Sequence, residues 1–424
     1  MFLHTPFRHD ARVEKEAATL VGAGHDVRVI ALREPGTAVA EERDGYRIVR
    51  VDADPAPTKV LRRVLQRGER SVGLVLAERA QAMNRPGGSV LSLLLRANLL
   101  LAQLKYVRRS VAEAAAEPAD VWIAHDLDAL PSADRARRRF GGCLVYDSHE
   151  LFVERDTFPP QTALGRRLWR AVEARLIRRA DHVIAVTESI AAVMSERYGV
   201  SRPTVIMNVP NTPVQSGRDA SPLRERLGIP DGTRVALYLG GISRHRPIDH
   251  LVESARHLPP PTTIVVMGPA EAGYLGELRA LASELGVEDR VRFAEPVPVE
   301  EVLDWAAGAD VGIVPFRATS LNQYYSLPNK LFDYVSASLP VVAGDLPELA
   351  RMVDERRLGT TFDPEDPAAL AAAIERVLAD PRRYEELRAN VREAAKDLNW
   401  SAEAPKLLRI VDQCARWTRS RRPA

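Results

Sequence analysis

The chain has 424 residues, 46% of them hydrophobic and 27% charged, with a formal net charge of +2. That length exceeds what one core usually fills, so two domains are expected, and the balanced charge gives no single-sign field for nucleic acid. Its two cysteines, Cys143 and Cys414, lie far apart without a Cys-x-x-Cys spacing, which predicts neither a metal site nor a disulfide and suits a reducing cytoplasm.

The opening MFLHTPFRHDARVEKEA lacks the apolar stretch of a signal peptide. The plain alternative to a site role for this segment is Asp10 as a helix N-cap and Arg12 as a surface charge. A first strand follows at 25–32. Across 57–116, arginines and lysines alternate with leucines. This stretch suits either weak docking on an anionic membrane or, as the preferred reading, helices packed on a sheet with solvated outer faces. Its leucine-rich part, 89–104, is broken by Arg96, Asn98 and Gln103 and is no membrane span.

Apolar runs at 121–125, 143–149 and 182–187 continue a set of short strands separated by helical patterns. His125, Asp126 and Asp128 follow the first of these runs, and Asp147, His149 and Glu150 the second. Two adjacent strand ends thus aim imidazoles and carboxylates at one place. Thr187 and Glu188 follow the third. The stretch 209–222, rich in Pro, Ser, Asn and Gly, reads as a linker. It divides a domain at 1–207 from a second at 208–400. The tail from 401 reads as a helix, capped by Ser401, that packs back on the first domain.

The second domain carries strands at 234–240, 262–268, 290–295, 311–316 and 339–344. Strand–helix alternation with apolar strands implies parallel sheets covered on both faces, hence two Rossmann-like halves. Ligands bind beyond the carboxyl ends of such strands, so two facing sheets put the site in a central cleft. Gly240 and Gly241 permit close backbone approach, and Arg244 and Arg246 follow them with the guanidinium chemistry that suits phosphate. Gly268 opens a second glycine loop. A helix is expected to start near Pro328, capped by Ser326. Its N-terminus and Lys330 suit an anion, and Asp333, one turn on, suits the paired hydroxyls of a ribose.

Gly240-Gly241…Arg246, VMG, VRFAEPVPVEEVLDWAAGADVGIVPF and SLPNKLFDYVSASLPVVAGDLPEL, in this order, resemble the donor domain of retaining GT-B glycosyltransferases of family 4. The resemblance implies that Arg246 and Lys330 hold a leaving nucleotide diphosphate and that Asp333 takes the ribose. The loop 296–298, with Val297, would read the base, and Tyr325, Ser326 and Leu327 would line the donor site. Tyr325 stands where the family carries a glutamate, so Asn322, Gln323 or a tyrosine would take the sugar contact. Gly241 stands where the family carries an arginine, with Arg244 as the replacement. The opening segment resembles the family's acceptor loop, which would turn His9, Asp10 and Arg12 toward the cleft. His149 matches the active-site histidine that contacts the donor sugar, with His125 on the acceptor side and Asp126 and Glu150 there too, either orienting His149 or binding the acceptor. Asn208 falls where the family carries a hinge asparagine.

The expected function is glycosyl transfer, with retention, from a nucleotide-diphosphate sugar to a small-molecule, glycan or lipid acceptor. UDP, GDP and dTDP are all open as carriers, and neither metal nor cofactor is expected. A nucleotide-sugar epimerase and a non-catalytic nucleotide-sugar binding protein are the alternatives on the same fold.

Overall fold

The computed structural model describes residues 1–53, 90–156, 162–211 and 221–421. These divide into two compact units. One comprises Met1–Ala185, Ala191–Val205 and Lys406–Ala424, and the other Val186–Ile190 and Ile206–Pro405.

The first unit is built on an eight-stranded sheet, β3-β4-β2-β1-β5-β6-β7-β8. Its strands are β1 (Phe2–Leu3), β2 (Arg28–Leu32), β3 (Ala40–Arg43), β4 (Tyr46–Val51), β5 (Val121–His125), β6 (Cys143–Ser148), β7 (His182–Ala185) and β8 (Thr204–Val205). All pairs are parallel except β3–β4. That edge hairpin departs from the all-parallel expectation. Asp44 and Gly45 both take positive φ, 47° and 80°, the conformation a tight two-residue hairpin turn requires. Every residue of β6 is buried, as a central parallel strand covered on both faces demands.

The pairing of cysteines corrects the expectation above: Cys143, at the start of β6, and Cys414 form a disulfide across 271 residues of sequence. Cys414 lies on the long final helix Trp400–Ser420. From Lys406 onward that helix belongs to the first unit. Thr418 Oγ1 donates to the Asp120 carbonyl at 2.9 Å, and Asp412 lies 3.2 Å from His25. Ser401 does not cap this helix. Asn399 precedes it, and its side-chain oxygen accepts from the Ala402 N–H at 3.3 Å.

Of the basic stretch 57–116, residues up to 89 lie outside the described ones. The helix Val90–Ala114 sends Tyr106 and Ser110 into the core and leaves Leu99, Leu100, Leu101 and Leu104 exposed. No helix among the described residues is long and apolar enough to cross a membrane.

The second unit has a wholly parallel six-stranded sheet, β11-β10-β9-β12-β13-β14. Its strands are β9 (Arg234–Leu239), β10 (Thr262–Met267), β11 (Val291–Ala294), β12 (Val311–Val314), β13 (Val341–Gly344) and β14 (Gly359–Phe362). The chain winds one way from β9 and the other way from β12, so the crevice past their carboxyl ends is the switch point of the sheet. The helix Asn329–Ser336 is fixed there by Tyr334. Its buried hydroxyl accepts from the Leu239 N–H at 2.8 Å and lies 2.9 Å from the Leu237 carbonyl and 3.1 Å from that of Ile313. Gly312 makes room for the ring: a Cβ there would meet Tyr334 at 2.2 Å. Tyr334 therefore decides where Lys330, one turn earlier, stands.

Two glycine loops close over the same crevice. Gly240 takes φ 129° and Gly268 φ 149°, values that side-chain-bearing residues avoid. A Cβ on Gly268 would lie 2.2 Å from the Gly240 carbonyl oxygen. Gly268→Ala is expected to force the loops apart and to lower stability by roughly 1–3 kcal/mol in chemical denaturation. In the oxidised protein, thiol titration after unfolding should find no free thiol until a reductant is added. Cys414→Ser should lower stability by about 2–4 kcal/mol.

Candidate active site

In the second unit the strand ends gather positive charge. Lys330 is only 8% exposed, and its Nζ stands 3.7 Å from the centroid of the Tyr238 ring. The Arg246 guanidinium lies over Phe316, 4.9 Å from the ring centroid. Burial, and then the Arg246 charge, push the Lys330 ammonium well below its ordinary range, against a smaller pull from Asp333. Tyr238 is fixed by donating its hydroxyl to the Gly241 carbonyl at 2.9 Å, and burial pushes its pKa up to about 12. Among the described residues no carboxylate forms an ion pair with Lys330 or Arg246. Two cations are thus held together at a helix N-terminus, one of them out of water. That arrangement costs free energy unless an anion joins it.

The other residues expected at this site divide. Gly240 lies directly against Lys330: a Cβ there would come within 3.1 Å of Nζ. Asp333 is half-buried on the same helix. Arg244 is not brought to the pair; its guanidinium is held by Glu277, at 2.5 Å for one of two contacts, and by Glu271 at 3.8 Å. Gly241 faces open space. Ser326 does not cap the helix, because its hydroxyl turns back to the Gln323 carbonyl at 3.1 Å, and Pro328 occupies the cap position without a side-chain bond. Asn322 lies on the short helix Leu321–Tyr324, which Tyr325 ends. The Tyr325 carbonyl accepts from Thr187 Oγ1 at 2.9 Å, and its ring meets Tyr324 edge-on. Leu327 and Val297 are half-buried in loops, and Asn208 donates to Asn329 at 3.2 Å.

In the first unit the cluster centres on Asp147. Its Oδ1 accepts from Arg12 Nη2 at 2.7 Å and its Oδ2 from Arg12 Nε at 3.0 Å, a two-point fork. The same Oδ2 lies 2.9 Å from His149 Nε2 and 3.1 Å from His125 Nδ1. Arg12 is neither in a loop nor on the surface. It lies in the first turn of the helix Ala11–Gly22, 2% exposed, with Glu16 one turn on at 3.0 Å. Asp10 caps this helix, accepting from the Val13 N–H at 3.1 Å. Neither Glu16 nor the central place of Asp147 emerged from the sequence. The available signal was the i, i+4 pair Arg12–Glu16 on the buried face of an amphipathic helix.

These charges settle one another. Burial alone would raise the Asp147 carboxyl, but Arg12 and His149 hold it well below its ordinary range. Burial opposes a charge on His149, yet Asp126 and Asp147 outweigh it and push the imidazole up to about 10. Burial raises Glu16, with Asp147 adding, and lowers His125 toward its neutral form. Asp126 takes φ 64°, accepts the His149 N–H at 2.9 Å, and is raised by burial to about 7. Glu150 is held by Arg155 at 2.6 Å. His125, Asp147 and His149 offer donor atoms within 4.8 Å of one another, a spacing a cation can use. The Arg12 fork already neutralises the only carboxylate of that set, so a divalent ion there would meet a fixed guanidinium.

Two family profiles match the chain: one described as "Glycosyl transferase 4-like domain" over residues 10–212, and one as "Glycosyl transferases group 1" over residues 233–380. Among curated proteins, a D-inositol 3-phosphate glycosyltransferase of Xylanimonas cellulosilytica is 32% identical over 262 residues, 59% of this chain and 60% of that one. Another, of Thermomonospora curvata, is 30% identical over 304 residues, 65% of this chain and 67% of that one. The chain thus matches about three fifths to two thirds of these relatives' length. Among solved structures, sucrose-phosphate synthase of Thermosynechococcus elongatus superposes with a TM-score of 0.70 at 20% identity, covering 95% of this chain and 92% of that one. Anabaena HepE in complex with UDP gives 0.65 at 18% identity, covering 97% and 99%. The two profiles fall one on each unit, and the chain belongs to the GT-B glycosyltransferases of family 4.

Proposed function

We propose that this glycosyltransferase takes its sugar from a nucleotide diphosphate bound in the second unit and transfers it with retained configuration. The observation that carries the reading is the pair of cations, Lys330 and Arg246, without a paired carboxylate among the described residues, beneath the Gly240 and Gly268 loops. A diphosphate supplies the missing negative charge. As the bond between the anomeric carbon and the phosphate oxygen breaks, charge builds on that oxygen, and both cations oppose it. The acceptor hydroxyl then bonds to the anomeric carbon on the face the diphosphate leaves, and its proton passes to the departing phosphate oxygen. The two cations neutralise the leaving group, so the reading calls on no metal. A half-buried Asp333 one turn into the helix suits the ribose hydroxyls, and the UDP complex of HepE makes UDP the first carrier to test.

For the acceptor, the relatives named as D-inositol 3-phosphate glycosyltransferases point to a polyhydroxylated small molecule. Asp126 and Glu150, beside His149, suit the hydroxyls of such a compound, and His149 suits the transferred sugar. An isomerase on this fold would need no acceptor, and a binding protein would release no nucleotide.

A thermal-shift series with UDP, GDP, dTDP and ADP, followed by acceptor-dependent release of the nucleotide, tests the reading. One nucleotide should raise Tm, and release should require an acceptor. Lys330→Ala or Arg246→Ala should each lower kcat by about 10²-fold or more; near-normal turnover in either would contradict the clamp. Asp126 is ionised only above about pH 7. If its carboxylate receives an acceptor hydroxyl, the rate rises as pH climbs through about 7 and is lost below it. Asp126→Asn should remove that limb from the pH profile.

A further inference from the structure

The reading of His149 as the imidazole acting in transfer leaves Asp147 and its partners without a stated task. Asp147 is fully buried and cannot touch an acceptor or a sugar. Yet one of its oxygens meets both histidines, and both oxygens meet Arg12. We infer that Asp147, locked by the Arg12 fork, is a positioning residue that sets the ring of His149, with Nε2 turned inward to the carboxylate and Nδ1 turned toward Asp126.

The geometry leaves the ring little choice. The carboxylate is fixed at two points by a planar guanidinium on a different element, the helix Ala11–Gly22, and a two-point contact fixes orientation as well as distance. His149 Nε2 stands 2.9 Å from that carboxylate, while Nδ1 stands 3.7 Å from Asp126 Oδ2. The main chain is held too, since the His149 N–H donates to Asp126 at 2.9 Å. Rotating the ring would take a nitrogen from a buried carboxylate and turn carbon toward it, which leaves a desolvated anion short of a partner. Histidines whose far nitrogen is held by a carboxylate gain both orientation and basicity. The charged and titratable groups around the ring are Arg12 and Glu16 from the helix, His125, Asp126 and Asp128 from the end of β5, and Glu150 beyond β6. Glu16 stands behind the fork, 3.0 Å from Arg12 Nε. Burial and Asp147 favour its neutral form, so it supports the guanidinium without drawing it off the carboxylate.

The inference rests on the proposed role of His149, and the experiment separates the two. In protein carrying 13C-labelled histidine, the His149 signal, assigned by its loss in His149→Gln, should stay in the charged form through neutral pH. In Asp147→Asn it should titrate lower, toward the ordinary histidine value of 6.5. In the same variant, kcat should fall by roughly 10- to 100-fold with the KM for the nucleotide sugar unchanged. Arg12→Lys keeps the charge but loses the fork; it should show a smaller fall and serves if Asp147→Asn does not fold. An unchanged His149 titration in a folded variant, or a His149 already neutral at pH 7 in the parent protein, would overturn the positioning role. His149→Gln with near-normal turnover would instead remove the role proposed for His149 itself.

Discussion

A lysine ammonium taken out of water, with a second cation beside it and no carboxylate paired with it among the described residues, is held at a cost until an anion arrives. Lys330 is in that state, and the second unit is arranged to keep it there. Tyr334 bonds the edges of β9 and β12 and sets the helix. Gly312 vacates the space its ring needs, and Gly240 vacates the space the ammonium needs. The Tyr238 ring gives the charge an electron-rich face without neutralising it. Each of these contacts is intelligible as support for a charge whose counterion, on the proposed reading, is a bound diphosphate.

The first unit solves the opposite problem. Its buried charges are paired within the protein: Arg12 with Asp147, Asp147 with His149, and His149 with Asp126. Removing one member would strand another in a dry interior, so the network holds the geometry of its partly exposed members, His149 and Asp126. The two strand-end sites therefore differ in kind. One lacks a charge and suits a polyanion; the other is charge-complete and presents an imidazole beside the Asp126 carboxylate. That division suits the transfer proposed above, from a diphosphate to a hydroxyl-bearing acceptor.

Much of this was legible in the sequence, for physical reasons. Parallel strands buried on both faces write themselves as apolar runs, and β5, β6, β9, β10 and β12 follow those runs closely. Lys330 and Asp333 alone fit an ordinary solvated helix as well; they stood out because the glycine loops and strand-end motifs around them point to a ligand site. The short opening strand β1 was legible only through the family resemblance, and the edge hairpin β3–β4 was too polar to register, although Asp44-Gly45 marked the turn. Side-chain partners were the least legible. Arg244 and Arg246 look equivalent in sequence, yet Glu277 holds one and the other stands over Phe316. Arg12 was expected in a cleft-facing loop, with a surface charge as the alternative, and neither reading reveals that Asp147, 135 residues away, meets it. The Cys143–Cys414 bond was missed because pairing depends on where the final helix returns, and no spacing rule encodes that.

The central claim, that Lys330 awaits an anion, is tested most directly by calorimetry in buffers of different ionisation enthalpy. At about pH 9, below the ordinary lysine value, burial and the Arg246 charge leave Lys330 holding its proton less firmly than a free lysine does. A bound diphosphate, itself fully ionised there, must strengthen that hold. The account predicts net proton uptake when UDP, or whichever nucleoside diphosphate stabilises the protein, binds, and none in Lys330→Met. Binding without proton uptake, or equal uptake in the variant, would contradict it.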